Sequence, residues 1–244
     1  MNWNHPILRW MSRKGILYGA SLRSENFQQE VYIRNLMKDV KNRTQLDTPL
    51  QNIPFLVIDL ETTGFRPWKG DEIISIGTVP VEQGCVCDEK LFHTYVCPLR
   101  PIPVTISQLT GITMQDVKKA PPIEQVLKTW LPDVHGTTLV AYGAKHDIAF
   151  LQAAMSKYLG TRLTNRVIDV YQIACWLHPN WSDHSLDRAL LTYGIPIEKR
   201  HSADGDALMT AKLWVKWIQV LIEKGIQTME DLYIELSKNR TPPR

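Results

Sequence analysis

Asp59 and Glu61 stand two residues apart at the end of the run "FLVIDLETTGF", residues 55 to 65. Phe55, Leu56, Val57 and Ile58 are apolar and partly β-branched, which reads as a buried strand. Residues two apart on a strand share a face, so both carboxylates project together. Burying them there is costly unless something neutralises them. Two more places carry acids beside structural signals. Asp147 opens a helical pattern just after the apolar stretch "TTLVAYG", and "HSADGDALMTAKLW" sets His201, Ser202 and Asp206 at the start of another helix. Singly, each has an ordinary explanation, since an Asp in a first helical turn simply complements the helix dipole. In combination, carboxylates at the ends of neighbouring elements supply the oxygen ligands that Mg²⁺ and Mn²⁺ prefer.

The elements that must position these residues are legible in order. Residues 1 to 46 read as helical, and "NRTQLDTPLQNIP" reads as a linker ending at Pro54. A strand over 55–60 is followed by a second in "DEIISIGTVPV" and a third in "CVCDEKLFHTYVCP", with Gly84 marking the turn between them. A short helix in "TISQLTGIT", stopped by Gly111, precedes a helix in "PPIEQVLKTWLPDV". The stretch "TTLVAYG" is a buried strand, "KHDIAFLQAAMSKYLG" a helix closed by Gly160, and "RVIDV" a short strand. Helices follow at 185–193, 202–224 and 228–238, each opened by a Ser or Thr suited to capping. Strands in hairpin order, then strands alternating with helices, predict an α/β fold with a mixed sheet. The glycine fingerprint of a dinucleotide-binding fold is missing after the first strand. Three segments are expected: a helical N-terminal extension and linker (1–50), a catalytic domain (51–224), and a C-terminal helix with its tail (225–244).

Composition narrows the class. With 44% hydrophobic and 22% charged residues, the chain has the balance of a soluble globular protein. No stretch approaches the roughly 18 apolar residues of a membrane span. Met1 to Gly15 lacks the apolar core of an export signal, and Cys85, Cys87, Cys97 and Cys175 show no zinc-type spacing. A cytoplasmic, reduced protein is expected, with no membrane partner. Residues 1–50 hold eight Lys/Arg against four acids, a basic surplus that suits either contact with nucleic acid or a solvated helical face.

The three acidic motifs, taken in order, resemble those of the DEDDh 3′–5′ exonucleases, a family that includes the proofreading epsilon subunit of bacterial DNA polymerase III. The similarity covers roughly residues 54 to 222, including "VCPLRPIPVTISQLTGIT" and "VIDVYQIACWLHP". It implies an RNase H-like mixed five-stranded sheet flanked by helices. It also implies that Asp59, Glu61, Asp147 and Asp206 bind two divalent cations, Mg²⁺ or Mn²⁺, and that His201 is the general base. Thr62 and Thr63 resemble positions that hold the terminal nucleotide. The implied chemistry is phosphodiester hydrolysis, with two ions about 3.5–4 Å apart clamping the attacking water and the leaving oxygen.

The second motif departs from the family's usual His-Asn-Ala-x-Phe-Asp, reading Tyr142-Gly143-Ala144-Lys145-His146-Asp147. His146 at the aromatic position is open to stacking, hydrogen bonding or plain packing, and is a candidate substrate-binding residue. Asp169, and Trp214 with Trp217, read as structural. The expected substrate is single-stranded DNA or DNA 3′ ends, with a DNA polymerase as a candidate partner. The alternatives are an exoribonuclease trimming RNA 3′ ends, since that choice rests on contacts to the 2′-OH, and a non-catalytic nucleic-acid-binding module on the same fold.

Overall fold

The structure is a computed structural model that describes residues 46–238. The helices expected over residues 1–46 therefore fall, but for the last residue, outside the described residues. The sheet is built on β1 (Phe55–Thr62), which pairs antiparallel with β2 (Ile73–Glu82). On its other side β1 pairs parallel with β5 (Thr138–Ala141), which pairs parallel with β6 (Val167–Asp169). The third expected strand is interrupted. A 3₁₀ turn at Asp88–Lys90 divides it into β3 (Cys85–Val86) and β4 (Phe92–Tyr95), and both segments pair with the outer edge of β2. The result is a mixed sheet of five positions whose outermost one is split.

Helices cover both faces. After α1 (Val104–Thr110), α2 (Met114–Val117) and α3 (Ile123–Val134) comes α4 (Lys145–Ala154), which runs on into a π-turn at Met155–Leu159. Then follow α5 (Val170–Leu177), α6 (Leu186–Thr192), α7 (Ala203–Glu223) and α8 (Met229–Lys238). Leu56, Ile58 and Leu60 of β1 face a core shared with α3 and α4. Phe55 and Val57 face the opposite core, built with α5 to α8. The alternation along a strand carries Asp59 and Glu61 onto this second side, toward the start of α7.

Helix α5 was not foreseen, because "VIDVYQ" reads as strand and connection. Asp169 starts it directly: its Oδ1 accepts the Tyr171 N–H at 3.0 Å, closing the first turn without a loop. Ser185 and Thr228 cap their helices as expected, accepting from Arg188 N and Asp231 N at 3.2 Å. Ser202 does not cap α7, since its hydroxyl donates to the Asp204 carboxylate instead. Trp214 and Trp217 are fully buried in the core, which accounts for them as packing. The linker reading fails over its described part. Leu50 and Ile53 are buried in the core, Leu50 N–H donates to Gln227 O at 2.7 Å, and Pro49 bridges to Thr228. The four cysteines are free thiols. Among the described residues no helix is long and apolar enough to cross a membrane.

Candidate metal centre and active site

Two glycines let α7 meet the sheet. Asp59 lies opposite Gly77 in the β1–β2 ladder, and a Cβ at Gly77 would overlap the Ala203 carbonyl. A Cβ at Gly205 would overlap the carbonyl oxygen of Lys199. The helix start thus presses against β2 while the turn 199–201 folds back on the helix. Lys199 and His201 both adopt left-handed backbone, at φ 49° and 57°. Such residues cost of order 1 kcal/mol each and persist where surrounding contacts impose them. The contact imposed here is the His201 N–H donating to Asp206 Oδ2 at 3.2 Å.

This packing brings Asp59, Glu61 and Asp206 together, with one carboxylate oxygen of each within 4.8 Å of the others. Asp147 comes from the other side of the strand. It is 5% exposed, and its Oδ1 accepts the Leu60 N–H at 3.1 Å, so it adjoins the trio rather than joining it. Burial is the main cause of raised carboxyl pKa values at all four acids. Glu61 and Asp147 are pushed up to about 7. Asp59 is held well above the ordinary range, with the charges of Asp147, Asp206 and Glu61 adding to the burial. No described residue donates a hydrogen bond to the carboxylate of Asp59 or of Glu61, and Asp206 Oδ1 is buried without a partner. An oxygen-only donor set with orphaned acceptors fits a hard divalent cation.

His201 lies beside Asp206, half-buried, and its imidazole is hydrogen-bonded to no other described residue. Thr62 and Thr63 are buried at the strand end. Thr62 Oγ1 donates to Gly64 O at 2.7 Å and lies 3.2 Å from His146 Nε2. With the hydroxyl hydrogen used on Gly64, the imidazole must carry its proton on Nε2 and donate. His146 also packs its ring against Phe65 and Phe150, with centroids at 5.7 and 4.8 Å, so within the protein it both hydrogen-bonds and packs. Thr63 is occupied by loop closure: its N–H donates to Glu72 O at 2.8 Å and its Oγ1 accepts from Glu72 N at 2.9 Å. Its hydroxyl hydrogen and one oxygen lone pair are left over. Asp169 holds Gly143 N–H at 2.9 Å, which fixes the loop before α4.

Two residues escaped the sequence reading. Phe65 is 76% exposed beside His146, an apolar ring at the mouth of the site. Arg200 donates through Nη1 to Asp206 and through Nε to Asp187 Oδ1 at 2.5 Å. Phe65 was signalled by its place directly after the Thr-Thr-Gly break, and Arg200 by a cation next to a predicted base.

Comparison with known proteins agrees with this geometry. The RNase T exonuclease family model matches residues 56–214. A DNA polymerase III subunit epsilon-like protein of Rhodobacter capsulatus is 33% identical over 214 residues, covering 87% of this chain and 30% of that protein. A PolC-type DNA polymerase III of Caldanaerobacter subterraneus is 35% identical over 178 residues, covering 73% of this chain and 12% of the polymerase. The chain thus spans less than a third of either relative's length. Among solved structures, the nuclease domain of 3′hExo, a DEDDh family member bound to rAMP, superposes with a TM-score of 0.62 at 22% identity, over 74% of this chain and 97% of that one. At that identity the likeness shows the fold.

Proposed function

The chain belongs to the RNase T exonuclease family, and we propose that it hydrolyses phosphodiester bonds from the 3′ end of DNA with the help of divalent cations. One observation carries the reading: Asp59, Glu61 and Asp206 converge within 4.8 Å, and the Asp206 Oδ1 oxygen is buried without a partner. Asp59, Glu61 and Asp206 would hold the metal, with Asp147 beside them. Two such ions supply charge stabilisation for the attacking and leaving oxygens of an in-line displacement. His201, on its left-handed turn, takes the proton that the attacking water gives up. Its free imidazole is available for that task because its place is secured through the backbone N–H. The Thr62 hydroxyl, His146 and exposed Phe65 form the surface on which the terminal nucleotide rests. DNA is the preferred substrate because both relatives above are named for DNA polymerase III. Their names also make a DNA polymerase the candidate partner.

The test is to incubate the protein with end-labelled single-stranded DNA and RNA of one sequence, in Mg²⁺, in Mn²⁺ and in excess chelator. Stepwise shortening of DNA from the 3′ end, lost in chelator, is expected. Cleavage undiminished by chelator would defeat the metal reading. Faster shortening of RNA would move the substrate to the exoribonuclease alternative, toward which the rAMP bound to 3′hExo points.

A further inference from the structure

Arg200 enters the acid cluster from the same turn that carries His201. Its guanidinium is shared: Nη1 donates to Asp206 Oδ2 and Nε donates to Asp187 Oδ1. Asp206 is nearly buried, with 8% of its side chain exposed, while Asp187 in the first turn of α6 is 49% exposed. Arg200 itself is 24% exposed, so the pairing with Asp206 is poorly screened by solvent. Its charge is also felt at Asp59 and Glu61, where it opposes the effect of burial. The acids that fit a cation therefore already face one that belongs to the protein.

Resting on the metal reading above, we propose that Arg200 is a resident counter-cation, divided between Asp187 and Asp206, that competes with the metal for Asp206 and holds the site's metal affinity below what its carboxylates alone would give.

Two effects of removing Arg200 oppose each other. Asp206 would lose a donor that orients it, but the His201 N–H still holds the same oxygen at 3.2 Å. Against that small loss stands the removal of a positive charge a few ångströms from a doubly charged ion in a partly buried site, where Coulomb interactions are several times stronger than in water. The charge effect wins. Asp187 works in the other direction. Removing its charge leaves the guanidinium wholly committed to Asp206, which should weaken metal binding.

The experiment is Mn²⁺ titration of the full chain without substrate, following free Mn²⁺ by electron paramagnetic resonance, with thermal melts to confirm folding. Arg200→Gln is expected to bind Mn²⁺ about tenfold more tightly than wild type, equivalent to about 1.4 kcal/mol. Asp187→Asn should bind about threefold or more weakly, and Arg200→Lys, which keeps the charge, should stay near wild type. Equal or weaker binding by Arg200→Gln would overturn the proposal and leave Arg200 as an orienting side chain. If Arg200→Gln does not fold, Asp187→Asn decides: binding no weaker than wild type overturns the proposal, and weaker binding supports it. Failure of wild type to bind Mn²⁺ at all would instead sink the metal reading beneath it.

Discussion

The backbone N–H of His201 donates to the Asp206 carboxylate at 3.2 Å, so the proposed base and a proposed ligand are joined through the main chain rather than through the imidazole. Replacing the His201 side chain leaves that hydrogen bond in place. Asn tolerates the left-handed backbone that His201 adopts at φ 57°. His201→Asn should therefore fold normally, keep Mn²⁺ affinity near wild type, and lower turnover by on the order of 10²–10⁴, the usual worth of a positioned base. Affinity and turnover measured together decide the matter. A joint collapse would make His201 a ligand or a structural residue.

The metal-free protein should lose stability as pH rises from about 4 to about 7. Glu61 and Asp147 have folded pKa values of about 7, above the ordinary values of 4.5 and 3.8. Between those limits the folded state holds more protons than the unfolded state, so the slope of unfolding free energy with pH is negative. The loss from these two groups levels off about one unit above pH 7, once both carboxyls are ionised in the folded state as well. Melting temperature in chelator, read across this range, should fall and then level. In Glu61→Gln the fall should be shallower, by on the order of 1–3 kcal/mol at pH 7.5. Added Mn²⁺ should restore wild type but raise Glu61→Gln less. A flat profile in chelator would mean that these carboxylates are not desolvated in solution.

The acid motifs were legible because strand alternation and helix-start position fix where a side chain points before any tertiary contact is known. Asp59 and Glu61 had to share a face, and the face proved to be the one that α7 covers. What escaped were features set by distant chain. Arg200 was marked in the sequence only by its place beside His201, and its role depends on reaching Asp187 on α6 as well as Asp206 on α7. Asp169 ends β6 as expected, but the helix it also caps went unseen because a cap without a loop leaves no local signal. The stretch "TQLDTPLQNIP" has the polar, Pro-containing composition of a linker, yet Leu50 and Ile53 find a core made by α7 and α8, more than 150 residues further on.

Truncation should be sharply position-dependent for that reason. Removing residues 1–45 leaves every described contact intact, and the remaining chain should fold and keep activity. Removing residues 1–54 deletes Leu50 and Ile53, both essentially fully buried, and exposes the core surfaces they cover. Each is worth roughly 1.5–3 kcal/mol of burial, together a large part of a typical domain's stability. Proteolysis and melting curves on the two truncations would show the difference. Equal stability would place the domain boundary later than the packing of Leu50 and Ile53 indicates.

Gly77 should control the metal site without touching it. It lies opposite Asp59 in the ladder, and its missing side chain is the space that the Ala203 carbonyl occupies at the start of α7. A methyl group there has no flexible neighbour to displace, since the obstacle is backbone. Gly77→Ala must move the first turn of α7 away from β2, and Asp206 travels with that turn while Asp59 stays on the sheet. Overpacking of this kind typically costs 1–3 kcal/mol. The larger effect should fall on the cluster, whose oxygens now lie within 4.8 Å of one another. Mn²⁺ affinity should drop by at least tenfold, with activity lost in proportion and partly recovered at high Mn²⁺. A control at Gly136, where nothing lies within 4 Å of a built Cβ but φ is +78°, carries backbone strain without displacing α7. Gly136→Ala should lower the melting temperature while leaving Mn²⁺ affinity unchanged. If Gly77→Ala behaves the same way, the close approach of α7 to β2 does not set the geometry of the metal centre.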